Sequence, residues 1–205
     1  MFKSLKKALQ TPKLATTLKL KTNAQELPAE LFTLSSLETL YLQGENLKEI
    51  SAKVGELINL RVLYINAPSV STVPREILYL PRIETLGLAG CAIKKFDLEA
   101  GKISKLKTLL LNKNQLMEVP QNLEHLEFLQ SLSLSSNKLV SFPKIILNLI
   151  NLKKLYLDAN RLESIPLESI KKLKKLDLIS LDGNLFSEKE KELIEASLGY
   201  WFGEL

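Results

Sequence analysis

Few residues in this sequence could carry out catalysis. It holds one histidine, His125, and one cysteine, Cys91. General-base, thiol-nucleophile and zinc chemistry each need several groups held at fixed spacing. One of each builds no Cys/His metal cluster. A phosphate-cradling glycine loop, a G-x-S-x-G elbow and a dinucleotide fingerprint are also missing. No catalytic residue, metal or cofactor is therefore assigned. The chemistry that remains is recognition. Tyr41, Tyr64, Leu110 and Tyr156 fall at multiples of a single interval, and large amphipathic rings are frequent interface anchors.

That interval organises the whole chain. The segment LKTLLLNKNQL from Leu106 recurs as LQSLSLSSNKL from Leu129 and LKKLYLDANRL from Leu152, at steps of 23 residues. Upstream, the same steps reach IETLGLAGCAI from Ile83, LRVLYINAPSV from Leu60 and LETLYLQGENL from Leu37. A step of 24 residues leads on to LDLISLDGNLF from Leu176, and a unit of 22 residues opens at Ala15 with Leu18, Leu20 and Asn23 in matching places. Seven complete units and a truncated eighth thus cover residues 15–186. The L-x-L alternation predicts a strand with one buried face in each unit. A proline then opens the next segment in many units (Pro28, Pro74, Pro120, Pro143, Pro166), with apolar residues at helical offsets such as Ile77 and Leu80. No unit can bury its apolar face alone, whereas stacked units share a continuous core.

These units resemble the leucine-rich-repeat family, whose pattern is L-x-x-L-x-L-x-x-N/C-x-L. The trailing prolines are most similar to the intracellular and bacterial class of 23-residue repeats, related to the Ras-suppressor-like proteins. The resemblance implies an α/β fold: a curved, right-handed solenoid with a parallel sheet on its concave face and short helices or turns on its convex face. It also implies a protein-binding module and not an enzyme.

The ninth position of the units holds Asn23, Asn114, Asn137, Asn160 and Asn184, and in the fourth unit Cys91. An amide there can satisfy backbone groups left unpaired as the chain turns off the sheet, so a structural ladder is expected. Cys91 fits the same pattern and is expected to be buried and inert. The second and third units depart from it, with Glu45 and Pro68, and Asn46 is placed to substitute in part for Glu45.

Positions three, five, seven and eight are left to face outward on the concave side. Read at the fifth position, the array gives Lys19, Tyr41, Tyr64, Gly87, Leu110, Ser133, Tyr156 and Ser180. Adjacent strands lie ~4.8 Å apart, so these form a row. Gly87 lacks a side chain and its unit adds Ala89 and Gly90, which predicts a shallow recess walled by Tyr64 and Leu110. Tyr41, Tyr64, Gly87, Leu110 and Tyr156 are the candidate partner-binding residues. A basic stretch (Lys107, Lys113, Lys138, Lys153, Lys154, Arg161) in the fifth to seventh units suits a partner with an acidic patch; Lys113, Lys154 and Arg161 are taken from it as site candidates.

The chain reads as one domain over residues 1–205, with an N-terminal cap helix in residues 1–14 and a C-terminal cap helix and aromatic tail in 187–205. Phe2, Leu5 and Leu9 share one helical face of the first, and Ser187 to Glu190 form a capping box for the second. The tail Tyr200-Trp201-Phe202 is either a plug over the last repeat or a docking site. Composition is 45% hydrophobic and 25% charged with net charge +5, a mild surplus that supports solubility more than nucleic-acid binding. A lone cysteine, no apolar leader after the basic N-terminus and no membrane-length apolar run point to a cytoplasmic protein. Secretion by a route without such a leader stays open. The expected function is recruitment of a partner protein by a monomer through the concave face. The alternatives are a regulatory subunit of a GTPase or phosphatase, and nucleic-acid binding by the basic stretch.

Overall fold

The protein is described by a computed structural model over residues 1–97, 105–200 and 202. Among the described residues eight strands form: β1 (Thr17–Thr22), β2 (Thr39–Gly44), β3 (Val62–Asn66), β4 (Thr85–Leu88), β5 (Thr108–Leu110), β6 (Ser131–Ser133), β7 (Lys154–Tyr156) and β8 (Leu178–Ser180). They form one parallel sheet in chain order. The architecture is a leucine-rich-repeat solenoid, as the repeat frame predicts.

The two leucines of L-x-L turn inward because alternate residues of a strand face opposite sides. Leu40, Leu63, Leu86, Leu109, Leu132 and Leu155 stack along the array, each no more than 1% exposed. The return segments bury their own apolar residues against these, among them Leu31, Val54, Ile77, Leu123 and Ile146. Most are single 3-10 turns: Ala29–Thr33, Ala52–Glu56, Arg75–Tyr79, Gln121–His125 and Lys144–Asn148. The seventh unit instead makes a short α-helix, α2 (Leu167–Ile170). Pro28, Pro74, Pro120, Pro143 and Pro166 each sit at the N-cap of such a segment, where a missing N–H leaves no helical hydrogen bond unmade. His125 closes one of these turns at an exposed surface position.

The strands shorten along the array, and a turn at positions eight and nine explains it. From the fourth unit onward the residue at position eight adopts a left-handed conformation: Gly90, Lys113, Ser136, Ala159 and Gly183 have φ of 67°, 56°, 57°, 50° and 66°. That kink takes the chain off the sheet. The asparagine that follows ties the kink down. Asn137 donates to Leu111 O (2.9 Å) and Leu134 O (2.9 Å) and accepts from Leu116 N (3.0 Å). Asn114, Asn160 and Asn184 repeat the pattern one unit apart. Cys91 is buried among them, its Sγ directed at Ile65 O. The first three units lack the kink, so their strands run on: β1 and β2 share six registered pairs, β5 and β6 only three.

Asn23 does not join the ladder. It is exposed, and its backbone carbonyl accepts from Asn46 Nδ2 at 3.1 Å. A ladder amide donates to a carbonyl of the preceding unit, and before β1 there is no preceding strand to supply one. Asn46 therefore reaches back one unit as the sequence suggests, while Glu45 pairs with Lys21 at 3.5 Å.

At the N-terminal end, α1 (Leu5–Gln10) buries Ala8 completely and packs Leu5 and Leu9 on the core. Phe2 lies outside this helix. It bridges to Leu18, with Phe2 N donating to Thr17 O and Lys19 N to Phe2 O, both at 2.8 Å. Pairing the open edge of β1 outweighs extending the helix by three residues to include Phe2. At the other end, α3 (Glu188–Leu198) starts with Ser187 Oγ accepting from Glu190 N at 3.2 Å and stops at Gly199 with φ 63°. Only this half of the capping box forms, because the Glu190 carboxylate accepts from Ile165 N instead. Tyr200 and Phe202 return to the last unit: their rings meet edge-on at 4.7 Å, Phe202 meets Phe186 at 5.9 Å, and the Tyr200 hydroxyl accepts from Leu181 N at 3.0 Å. Trp201 lies outside the described residues. Among those described, no helix is long and apolar enough to cross a membrane.

Candidate functional site

The strand register puts the fifth positions into one row across the sheet. Lys19 pairs with Tyr41, Tyr41 with Tyr64, Tyr64 with Gly87, Gly87 with Leu110, Leu110 with Ser133, Ser133 with Tyr156, and Tyr156 with Ser180. Tyr41 and Tyr64 are stacked, their ring centroids 5.2 Å apart and their planes within 6°. Tyr41 remains 38% exposed, a large area for a ring not needed by the core.

The recess expected at Gly87 is filled. Tyr64 leans across it, and a Cβ added at Gly87 would fall 2.3 Å from Tyr64 Cδ1. Asn66 does the same two residues on, its Nδ2 only 2.4 Å from where a Cβ of Gly90 would stand. Absent side chains in the fourth unit thus receive side chains of the third. Burial lifts the Tyr64 hydroxyl above the usual tyrosine range, with a smaller upward push from a charged Tyr41. Gly87 itself is buried and out of reach of a partner. Beyond it, Leu110 and Tyr156 are half-buried and flank the buried Ser133.

The open space lies instead toward the C-terminal ends of β1 to β4. A groove of about 440 Å³ is bordered by Lys19, Lys21, Tyr41, Gln43, Tyr64, Asn66 and Ala89, and beneath it run the strand positions Leu20, Leu42 and Ile65, the last two buried in the core. Its size falls within the ~300–1,000 Å³ of ordinary ligand sites. Lys21, Gln43 and Asn66 are seventh-position residues that reasoning along the fifth position alone overlooks. For Gln43 and Asn66 the signal was the missing ladder asparagine of their units (Glu45 and Pro68 stand in its place); without a turn after position seven, the strands extend and carry one more outward row.

The basic stretch is not one surface. Lys107 and Lys153 sit at the N-terminal edge of the strands, just before β5 and β7; Lys113, Lys138 and Arg161 lie in the turns beyond their C-terminal ends, and only Lys154 is within a strand. Lys107 is also paired. Its Nζ lies 2.7 Å from Glu84 Oε2, while Arg61 Nε donates to Glu84 Oε1 at 2.9 Å. The two cations hold the Glu84 carboxyl below its usual range, Lys107 contributing first and Arg61 next. Further along, Asp158 accepts from Ser135 Oγ at 2.9 Å and from Ser180 Oγ. Cys91 is buried, which pushes its thiol up and away from a reactive thiolate. Among the described residues, no group of three or more His, Cys, Asp or Glu is placed to hold a metal.

The Leucine Rich Repeat family profile matches residues 128–149 and 151–173. No curated protein matches the chain. Among solved structures, an internalin from Listeria monocytogenes superposes with a TM-score of 0.72 at 21% identity, over 91% of this chain and 53% of its own. The chain thus spans about half the length of that internalin. A leucine-rich-repeat protein from Leptospira interrogans gives 0.51 at 18% identity over 97% of both chains. A plant peptide hormone receptor, solved in complex with RGF2, gives 0.63 at 27% identity over 82% of this chain and 27% of its own. Proteins of this repeat type are typically interaction modules.

Proposed function

We propose that this leucine-rich-repeat protein is a non-enzymatic module that recruits a partner protein through the concave face of its sheet. The observation that carries the reading is the Tyr41–Tyr64 stack, with Tyr41 exposed, beside a groove on the sheet face. A surface facing water gains nothing by displaying stacked rings, whereas an interface centre does. Leu110 and Tyr156 extend the same row and serve as secondary contacts. A structural neighbour, a plant peptide hormone receptor solved in complex with RGF2, is consistent with ligand binding by this architecture. Gly87 acts indirectly, by seating Tyr64.

The test compares the wild-type chain with a Tyr41→Ala, Tyr64→Ala, Leu110→Ala variant whose circular dichroism and urea midpoint confirm folding. Both are used as bait in lysate of the source organism, and retained proteins are identified by mass spectrometry. A protein held by the first and lost by the second supports the concave face as the site. Equal retention by both removes this face from consideration.

A further inference from the structure

The groove beside the tyrosine stack is chemically lopsided. Lys19 and Lys21 stand exposed on β1 along one flank. Lys21 shares its charge with Glu45 at 3.5 Å, while Lys19 meets no carboxylate among the described residues. Across the groove stand Tyr41, Tyr64 and Ala89, with the side-chain amides of Gln43 and Asn66 between, and among the described residues no acidic side chain lines it. The opening crosses β1 to β4, which is three strand spacings or ~14 Å, about four residues of extended chain.

We propose that the occupant is a short, extended, acidic peptide segment of the partner, carrying one or two carboxylates next to an aromatic or aliphatic side chain. This rests on the reading that the sheet face binds a protein, and adds the chemistry of what it binds. The carboxylates pair with Lys19 and Lys21. The apolar side chain covers the free part of Tyr41. Gln43 and Asn66 offer a donor and an acceptor each to the peptide backbone. Charge complementarity sets the choice. A basic segment would lie against Lys19, which meets no carboxylate among the described residues, and Lys21, whose partner is the exposed Glu45. A purely apolar one would strip water from both without return.

The probe is a set of dye-labelled hexapeptides with two aspartates beside a phenylalanine. Matched sets replace the aspartates by lysine or asparagine, or the phenylalanine by glycine, and a hexathymidine oligonucleotide completes the panel. Fluorescence anisotropy is read at low salt and again at high salt. The aspartate–phenylalanine set is expected to bind at least tenfold more tightly than the lysine set, and to weaken as salt screens the pairs. A Lys19→Glu, Lys21→Glu variant, altered at two exposed positions, is expected to invert that preference. Equal affinity for acidic and basic peptides, no binding by any peptide, or stronger binding of the oligonucleotide overturns the proposal. Peptide binding that depends on Tyr41 but ignores both lysines overturns this chemistry alone and leaves the concave face standing. Binding that ignores Tyr41 as well removes both.

Discussion

Substituting alanine for Gly87 tests the seating of Tyr64 most directly. The new methyl would lie 2.3 Å from Cδ1 and 2.7 Å from Cε1 of the ring, against an ordinary carbon–carbon contact of about 3.5 Å. The ring must therefore move by more than roughly 1 Å. It cannot move toward β2, because the Tyr41 ring is stacked 5.2 Å away in parallel. Swinging outward forfeits an aromatic pair worth ~0.5–1.5 kcal/mol, and holding the ring off its rotamer costs ~0.5–1.5 kcal/mol. Gly87 is not among the glycines with positive φ, so alanine also brings ~0.4–1 kcal/mol of stabilisation from the unfolded chain. The net expectation is a loss of ~1–2 kcal/mol in the wild-type background. With Tyr64→Ala already in place the clash disappears, and Gly87→Ala becomes neutral or stabilising by up to ~1 kcal/mol. Urea denaturation of the four proteins, followed by far-ultraviolet circular dichroism, closes the double-mutant cycle. The same cost in both backgrounds would falsify the packing argument.

The ladder gives a second contrast. Asn137→Ala strands Leu116 N and two carbonyls and is expected to cost ~2–4 kcal/mol in the urea midpoint analysis, while exposed Asn23→Ala stays within ~0.5 kcal/mol; similar losses at both sites would contradict the assignment. Alkaline pH gives a third. The folded Tyr64 hydroxyl sits above its unfolded value, so its contribution is intact below about pH 10 and fades as pH rises through the folded value. Tyr64→Phe should flatten that part of the stability–pH curve, and an unchanged curve would refute the link. Glu84 works in the opposite sense. Its folded carboxyl is lowered, so its contribution is present above about pH 4.3 and fades below it, and Glu84→Gln should blunt the acid side of the curve. Finally, Cys91 should react with an aromatic disulfide reagent roughly a hundredfold or more slowly in the native protein than in urea. Comparable rates would show that the thiol is not enclosed.

Repeat number, strand positions, the inward leucines and the row of fifth-position residues could all be read from the L-x-L frame, since one buried face fixes register absolutely. What could not be read was how neighbouring units share space. Gly87 looked like an opening because a glycine in one sequence frame says nothing about the ring in the frame before it. Asn23 looked like a ladder residue because its type matched, yet a ladder rung needs a carbonyl on the preceding coil. The basic stretch looked continuous because six cations recur in adjacent units, although positions two, eight and ten lie on different edges of the strands. In each case the residue type was legible and its neighbour one unit away decided the outcome.

The change at the fourth unit also bears on how the chain tolerates sequence drift. In the last four units one amide per turn holds three backbone groups of two coils, so a single codon change there unties a joint. In the first three, cohesion is spread over longer runs of main-chain pairing that no side chain dictates. Their outward positions are correspondingly free to vary. Lys19, Lys21, Gln43 and Asn66 stand on the part of the scaffold where a new specificity can be tried at little risk to the fold.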